Sequence, residues 1–317
     1  MVTTPTDSRI AVSAKRKRRK AVEVAAESVI WAAGVLSVIL VALIFIFLLR
    51  DALPLLKTHS LWSVLTGRAW YPTDETFGFM PLIVGSALVT LGAVAVAVPI
   101  GVAAAIYVGE IAPARVREVL KPAIEMVAAV PSVVIGFIGL VVLGPLLQNV
   151  LHLDSGTVAL TGSVMLAFMA LPTIVSIAED ALATVPRDFR AGSLALGATS
   201  WQTVWRVQLP AAKSGIVAAV MLGIGRAIGE TMTVLMVTGN AFAQTKVING
   251  QIVTVMPYTL FQSVRTMTAT IAAEMGETVQ YSTHYNALFM LGVVLFAITF
   301  VVNLLADIAL HRMPKHG

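Results

Sequence analysis

Six long apolar segments alternate with polar segments along the chain, at 29–49, 81–108, 126–151, 155–178, 214–243 and 285–306. A helix of about 20 apolar residues spans the roughly 30 Å hydrocarbon core of a bilayer. The pattern therefore predicts an all-α fold, a polytopic membrane protein with six transmembrane helices. Residues 29–50 form the first of these helices, and its apolar run of 21 residues is longer than the core of a cleaved signal peptide.

The composition supports a membrane environment. Of the 317 residues, 57% are hydrophobic and only 12% are charged, and the mean hydropathy is +0.87. A soluble domain carries about 25% charged residues because its exterior faces water, so a soluble fold is excluded. The absence of cysteine excludes disulfides, thiolate metal sites and cysteine nucleophiles.

The distribution of Lys and Arg predicts the orientation of the chain. Sixteen of the 22 lie in segments on the same side of the membrane as the N-terminus, and four lie in segments on the other side. Because basic residues concentrate on the inside, we expect both termini in the cytoplasm. Residues 1–28 then form a basic cytoplasmic tail. Its basic run at 15–20 is interpreted as an orientation signal that attracts the lipid bilayer, and not as a nucleic-acid-binding segment.

The polar loop 186–210 is predicted to form two short helices with a turn between them. Pro186 suits a helix start, Gly197 suits the turn, and Ser200 is predicted to cap the second helix. Pro210 is expected to end that helix and lead into the fifth span. Two interpretations stay open on these residues alone: a knob that protrudes from the cytoplasmic face, or an ordinary loop that tryptophans anchor to the headgroups.

This loop resembles the signature of ABC-importer permeases, which favours the protruding knob. The resemblance rests on Gly197, followed after nine residues by Val207, one further residue, and Leu209-Pro210. Members of that family often begin the motif with Glu-Ala-Ala, and the matching residues here are Ala191, Gly192 and Ser193.

The resemblance implies that loop 186–210 docks in a groove on a separate ATPase subunit. The residues implied at its tip are Leu194, Leu196, Gly197, Ala198 and Thr199, and Leu209 and Pro210 complete the motif. The chain has no Gly-x-x-x-x-Gly-Lys-Ser/Thr phosphate loop, so ATP and Mg²⁺ are expected on the partner and no cofactor is expected in this chain. We therefore expect a transport subunit and not an enzyme.

The predicted fifth span carries two charges, Arg226 and Glu230. A charge in the middle of a bilayer costs about 2.5–3.5 kcal/mol on insertion scales, so such residues are rarely accidental. A spacing of four residues puts them on one face of a helix, where they are expected to pair. Gly225 and Gly229 form a G-x-x-x-G step that is predicted to let a neighbouring helix approach closely.

Two interpretations of the charged pair stay open. In the first, the charges neutralise each other and lock two helices together. In the second, Arg226 lines a hydrophilic pathway and binds an anion, because a guanidinium keeps its charge and matches phosphate oxygens bidentately. Glu230 would then orient the arginine and weaken its hold on the anion, so that the anion is released.

From about residue 75 to its end, the chain resembles the C-type permease subunits of phosphate-specific (Pst) ABC importers. The matching motifs are RAIGETM at 226–232, the following VLMVTGN, MPLIVGSALVT at 80–90, VPIGVAAAIYV at 98–108 and AAVPSVVIGF at 128–137. The resemblance implies a type I ABC importer permease core of five transmembrane helices over 75–310, in a bacterial cytoplasmic membrane. It also implies that inorganic phosphate passes Arg226 and Glu230.

The same resemblance implies three partners: a homologous A-type permease that completes a heterodimer, a dimer of ATPase subunits and an extracytoplasmic phosphate-binding protein. Within the polar segment 244–284, residues 259–278 are predicted to form an amphipathic helix on the outer face. That helix either contacts the binding protein, shields the pathway or lies solvated at the interface.

Alternative functions are a permease for another oxyanion, such as sulfate or molybdate, and an ion-driven secondary anion carrier. The coupling-type loop disfavours the carrier, because a carrier needs no ATPase dock. A membrane enzyme has little support, since the chain contains no His-Glu-x-x-His and no Gly-x-Ser-x-Gly motif.

Overall fold

The computed structural model describes the backbone of residues 5–241, 244–248, 251–255 and 259–311, and the side chains of residues 23–241 and 259–308. The chain divides into two units, Met1–Asp51 and Ala52–Gly317. The described part of the first unit belongs to helix α1 (Pro5–Ala52), which contains the whole predicted first transmembrane helix. The predicted tail is thus helical from Pro5 onward, and the side chains of its basic run lie outside the described residues.

The second unit begins with a short helix and a small hairpin. A 3-10 turn at Leu53–Lys57 leads to α2 (Leu61–Thr66). Strands β1 (Trp70–Tyr71) and β2 (Thr76–Phe77) then pair antiparallel, with Trp70 opposite Phe77. The Trp70 side chain is fully buried, which ties this hairpin to the helices beneath it.

The remaining elements are mostly helices, in the following order. They are α3 (Met80–Ile106), α4 (Ala114–Ala128), α5 (Ser132–Ile138), α6 (Gly144–Leu151), α7 (Ala159–Ala183), α8 (Arg187–Ala195), α9 (Ser200–Thr203), α10 (Leu209–Ala211), α11 (Lys213–Gly229), α12 (Met232–Val237), α13 (Met267–Glu274) and α14 (Thr283–His311). Single π-helical turns lie at Tyr107–Ile111, Gly139–Leu143 and Val204–Gln208. A second antiparallel hairpin, β3 (Gln244–Ile248) and β4 (Gln251–Val255), lies between α12 and α13 in the sequence.

Within the described residues, five stretches are long and apolar enough to cross a membrane. They are Glu23–Lys57, Met80–Ile111, Ser132–Leu151, Ala159–Ala183 and Thr283–Ile308. A sixth is a bent pair, Ser200–Ala211 and Lys213–Gly229, whose axes meet at 72°. The predicted all-α membrane fold is therefore confirmed, with five candidate crossings, or six if the bent pair is counted as one span.

Two predicted span boundaries are wrong. The third span was predicted from residue 126, but 126–128 belong to α4, and the apolar helix begins only at Ser132. Pro131 explains the break, because proline lacks an N–H and disfavours the helical conformation in the residue before it. The fifth span was predicted to reach residue 243, but α11 ends at Gly229.

Helix α7 is the most buried of the candidate spans, and α3 and α11 pack along it. Its Ile174 lies between two glycines. A Cβ atom at Gly101 of α3 would lie 2.8 Å from Ile174 Cγ2, and a Cβ atom at Gly223 of α11 would lie 2.5 Å from Ile174 Cγ1. Because both positions lack a side chain, the backbones of three helices approach closely around one isoleucine.

The close packing of α11 uses a different stripe of small residues from the predicted one. Gly215, Ala219 and Gly223, spaced every four residues, meet α7. A Cβ atom added at Gly225 or Gly229 meets no atom within 4 Å. Two residues correspond to about 200° around a helix, so Gly225 lies on the side opposite Gly223. No helix of the described chain packs on Gly225 or Gly229, and their close approach to a neighbouring helix stays a prediction.

One carboxylate joins three segments at the hairpin end of the unit. Glu274, the last residue of α13, accepts a hydrogen bond from Trp70 Nε1 at 3.1 Å, pairs with Arg265 at 2.8 Å and contacts His284 Nε2 at 2.7 Å. The first four residues of α13 are buried, and the helix packs against α3, α12 and α14. The predicted amphipathic surface helix over 259–278 is therefore wrong, because the helix is shorter and inserted in the bundle.

The packing around Ile174 predicts opposite outcomes for two equal substitutions on α11. Gly223→Ala is expected to lower the free energy of unfolding by about 1–3 kcal/mol, because the buried, β-branched Ile174 has little room to shift. Gly225→Ala adds the same methyl group into open space and is expected to cost nothing or to stabilise the helix by up to about 1 kcal/mol. Denaturant unfolding of the detergent-solubilised chain, followed by tryptophan fluorescence, measures both. Equal losses would contradict this packing.

Candidate functional site

The predicted fifth span is interrupted between Arg226 and Glu230. Helix α11 ends at Gly229, Glu230 has an extended backbone with φ −71° and ψ 133°, and α12 begins two residues later. The interruption lies near the middle of α7, because Arg226 bonds to Thr173 of that helix. Non-helical backbone at such a depth occurs in membrane proteins only where protein covers it or where it borders a water-filled cavity.

Threonine side chains bond across this interruption. The Thr233 backbone N–H donates to Glu230 Oε1 at 3.2 Å, so the carboxylate caps α12. Thr268 of α13 donates through Oγ1 to the Glu230 backbone oxygen at 2.8 Å. Thr233 Oγ1 donates to the backbone oxygen of Ser132, the first residue of α5, at 3.0 Å. Two backbone groups that the break releases are thus satisfied: the Thr233 N–H by the Glu230 side chain, and the Glu230 carbonyl by Thr268 of α13.

Arg226 points from the last turn of α11 towards neutral acceptors. Its Nη1 donates to Thr173 Oγ1 at 3.1 Å, and its Nη2 donates to the backbone oxygen of Ala128 at 3.5 Å. Ala128 is the last residue of α4, so the guanidinium bridges the end of α4 and the middle of α7. Among the residues with described side chains, no carboxylate oxygen lies within 4.0 Å of Arg226.

The predicted Arg226–Glu230 ion pair is therefore wrong. An i, i+4 pair requires a continuous helix, and the helix ends one residue before Glu230. The extended backbone at Glu230 turns its side chain to the N-terminus of α12, and the arginine bonds to Thr173 instead. One interpretation was that the two charges neutralise each other and so lock two helices together. That interpretation requires contact between Arg226 and Glu230, and the two side chains do not pair.

The arrangement suits the transient binding of an anion. Arg226 is half-buried and carries a permanent positive charge, and two of its N–H groups bond to neutral oxygen atoms. Its other N–H groups can donate to an anion. Thr173 Oγ1 is a hydroxyl, which can accept from the arginine and donate to an anion at the same time.

Three residues at the break were missed by the reasoning from sequence. Thr173, Thr233 and Thr268 each supply a hydroxyl at or near it. A local signal exists only for Thr173, which directly follows Pro172 inside an otherwise apolar span. The other two are threonines among several, and only the fold brings Thr268 beside Glu230.

Loop 186–210 folds as two short helices with a tight turn, as predicted. Gly197 has φ +84°, a conformation that favours glycine. The cap of the second helix is Thr199 and not the predicted Ser200: its side chain accepts from the Gln202 backbone, and the Gln202 side chain accepts from the Thr199 backbone. Ser193 and Thr203 join the two helices through their hydroxyls at 3.0 Å.

The predicted tip residues of this loop lie at the surface. Leu196 is 90% exposed, and Leu194, Gly197 and Thr199 are also exposed. Ala198 and Leu209 are half-buried, and Pro210 is exposed at the base.

A groove of about 490 Å³ separates the two helices, lined among others by Phe189, Leu196 and Val207. Trp201 and Trp205 are more than half exposed and pack edge to face, with their ring centroids 5.7 Å apart. This apolar, exposed tip is typical of a docking element.

The described residues contain no group of three or more His, Asp or Glu side chains that could hold a metal ion. The charged groups at the break are the single cation of Arg226 and the single carboxylate of Glu230.

The chain is similar to several transport permeases over most of its length. It is 42% identical over 243 residues to "Probable ABC transporter permease protein YqgH" of Bacillus subtilis, covering 76% of this chain and 75% of that protein. It is 34% identical over 301 residues to "Phosphate transport system permease protein PstC" of Mesorhizobium japonicum, covering 89% and 88%.

Solved structures share the fold. A chain of the MetNI methionine ABC transporter, in inward-facing form, matches with a TM-score of 0.54 at 18% identity, covering 78% of this chain and all of that one. A bacterial ABC transporter for alginate import matches with a TM-score of 0.56 at 13% identity, covering 86% and 96%. The predicted type I ABC importer permease architecture is thereby confirmed.

Residues 97–315 match the family described as "Binding-protein-dependent transport system inner membrane component". The match covers more than half of the chain, and the relatives above are permease subunits, which are transport components and not enzymes. The expectation of a transport subunit is confirmed. The chain belongs to the inner membrane components of binding-protein-dependent transport systems, the permease subunits of ABC importers.

Proposed function

We propose that this chain is the C-type permease subunit of an ATP-driven importer of inorganic phosphate. The observation that carries the proposal is Arg226, a half-buried cation without a carboxylate partner among the described side chains. It lies in the last turn of α11, just before the helix breaks, and beside the middle of α7. Several relatives that are about a third identical to this chain bear the name "Phosphate transport system permease protein PstC". Their names and the charge at the break point to the same class of substrate.

The geometry at Arg226 supports binding that is reversible. A guanidinium binds phosphate oxygens with paired, charge-assisted hydrogen bonds. Thr173 Oγ1 and the Ala128 carbonyl keep two of its N–H groups satisfied before the anion arrives and after it leaves. In this proposal Glu230 maintains the break through its cap on α12. Its negative charge, four residues after Arg226 in the sequence, also repels the anion and so shortens the time that the anion stays bound.

Loop 186–210 is proposed as the attachment to the energy source. Its apolar tip, with Leu196 almost fully exposed, suits a groove on a separate ATPase subunit that binds ATP and Mg²⁺. The full assembly would contain a dimer of that ATPase, a homologous A-type permease and an extracytoplasmic phosphate-binding protein. The loop would face the cytoplasm together with both termini, in a bacterial cytoplasmic membrane, which agrees with the distribution of Lys and Arg.

Substitution of Arg226 tests the substrate pathway. In proteoliposomes that contain the whole importer, Arg226→Ala is expected to reduce labelled phosphate uptake by roughly 10- to 100-fold, the loss of a charge-assisted hydrogen bond. Arg226→Lys keeps the positive charge but lacks the paired N–H donors of a guanidinium, and it is expected to retain part of the uptake. Arg68→Ala, at an exposed arginine near the hairpin, is the matched control and should transport normally.

Several outcomes would contradict this assignment. Normal uptake by the Arg226→Ala complex would remove the arginine from the pathway. Failure of both Arg226 variants to assemble would assign it a structural role. Competition by sulfate or molybdate at concentrations equal to phosphate would favour another oxyanion, and uptake by the chain alone without ATP would favour a secondary carrier.

A charge at the loop tip tests the docking. Leu196→Asp places a carboxylate where the proposal buries a leucine, and it is expected to weaken the affinity for the ATPase by about 30-fold or more. Leu61→Asp changes a leucine that is also exposed, at the start of α2, and should leave ATPase binding intact. Co-purification and surface plasmon resonance with the ATPase measure both. Equal affinity of the two variants would contradict docking through the tip.

A further inference from the structure

A buried carboxylate lies where helix α3 meets loop 186–210. Glu110 belongs to the π turn Tyr107–Ile111 that follows α3, and its side chain is only 7% exposed. A carboxylate in such a position is costly unless charged or polar partners satisfy it. The groups that bond to the Glu110 carboxylate therefore show which parts of the chain this residue connects.

Both partners of Glu110 belong to the loop. Glu110 Oε2 accepts from Gln208 Nε2 at 2.7 Å and from Arg190 Nη1 at 3.2 Å. Arg190 lies in α8, which leads into the exposed tip, and Gln208 lies in the π turn that leads out of it. One oxygen atom thus bonds to both arms of the loop.

The turn that carries Glu110 is itself fixed. Arg117 of α4 donates through Nε to the backbone oxygen of Val108 at 2.7 Å and through Nη2 to the backbone oxygen of Gly109. Both acceptors are residues of the same π turn. The carboxylate is therefore presented to the loop by a backbone that a neighbouring helix holds in place.

The two arms of the loop are attached to the bundle in different ways. None of the residues of α8, Arg187–Ala195, is buried. In the second arm, Val204 is buried in an apolar cluster with Ile106 and Leu182. Arg190 thus gives α8 an ionic contact with the bundle, whereas apolar packing also holds the second arm. Displacement of α8 by a docked ATPase would reach α3 through a charged contact.

We propose that Glu110 is the positioning residue that transmits movement of loop 186–210 to the transmembrane helices. The inference rests on the proposed function. From the end of α3 the movement would pass to α7 and α11, because Gly101 and Gly223 pack on the two sides of Ile174. Arg226 follows Gly223 by three residues on α11. The carboxylate at this contact comes from the π turn after α3, and the loop supplies Arg190 beside the uncharged Ala191.

The test compares transport with ATP hydrolysis in the reconstituted importer. Glu110→Gln is expected to assemble and to hydrolyse ATP at a rate near that of the unchanged complex, while phosphate moved per ATP falls by about tenfold, a typical size for coupling between two sites. The double variant Glu110→Arg with Arg190→Glu exchanges the two charges and so keeps an opposite pair. It is expected to recover the phosphate moved per ATP to within about twofold of the unchanged complex.

Glu179→Gln is the matched control. Glu179 is also a buried carboxylate, 8% exposed in its side chain, and its ion pair, with Lys121 at 2.6 Å, joins α7 to α4 and not to the loop. The hydrogen bond to Glu179 raises the pKa of Lys121 above its ordinary value. Its loss is expected to lower stability while phosphate per ATP stays constant. An equal drop in that ratio for Glu179→Gln, or no recovery in the exchanged pair, would overturn the proposal.

A second readout does not depend on the substrate. The chain has no cysteine, so Leu91→Cys on α3 and Phe300→Cys on α14, both exposed, accept a pair of spin labels without background. Addition of ATP and Mg²⁺ is expected to change the distance between the labels, and Glu110→Gln is expected to abolish that change. A preserved change in Glu110→Gln rejects Glu110 as the connector, whatever the substrate. A change that Glu110→Gln abolishes in a complex that moves no phosphate rejects only the proposed substrate.

Discussion

Close packing of α3, α7 and α11 around Ile174 is the constraint on which the remainder of the second unit depends. In a bilayer the hydrophobic effect does not drive helices together, so association relies on shape. Gly101 and Gly223 allow two helix backbones to approach the same isoleucine from opposite sides. This contact sets the depth and rotation of α11, and so brings Arg226 beside Thr173, the residue that precedes Ile174.

The break after Gly229 follows from a second constraint, the need to satisfy every backbone group away from water. Glu230 and Thr268 do so with side chains that other segments bring to the same place. The polar groups that stabilise the break therefore also supply polar surroundings for an ion in the middle of the bundle. Stability and chemistry at this position have one structural origin, which explains why an interrupted helix and a charged residue occur together.

The sequence predicted those features that depend on nearby residues. Span number and the two-helix loop follow from apolar length and from Gly197 and Pro186, which act locally. The Arg226–Glu230 pair failed because nothing in RAIGETM itself breaks a helix. The break is supported by Thr268, 38 residues away, and the Thr233 hydroxyl that follows it bonds to Ser132, 101 residues away. The stripe of small residues that packs against α7 was missed for a similar reason: small residues spaced by four occur on two sides of α11, and only the packing of α7 selects one.

The π turns at Tyr107–Ile111 and Val204–Gln208 have a consequence for how this permease tolerates change in length. Each contains one residue more per turn than an α-helix, and each carries one partner of the Glu110–Gln208 bond. Deletion of a single residue ahead of Glu110 or Gln208 within its turn would return that turn to α-helical geometry and move the side chain by about 100° around the helix axis. Glu110 and Gln208 would then no longer face each other, although both side chains remained. At this junction, chain length is as much a functional property as residue identity.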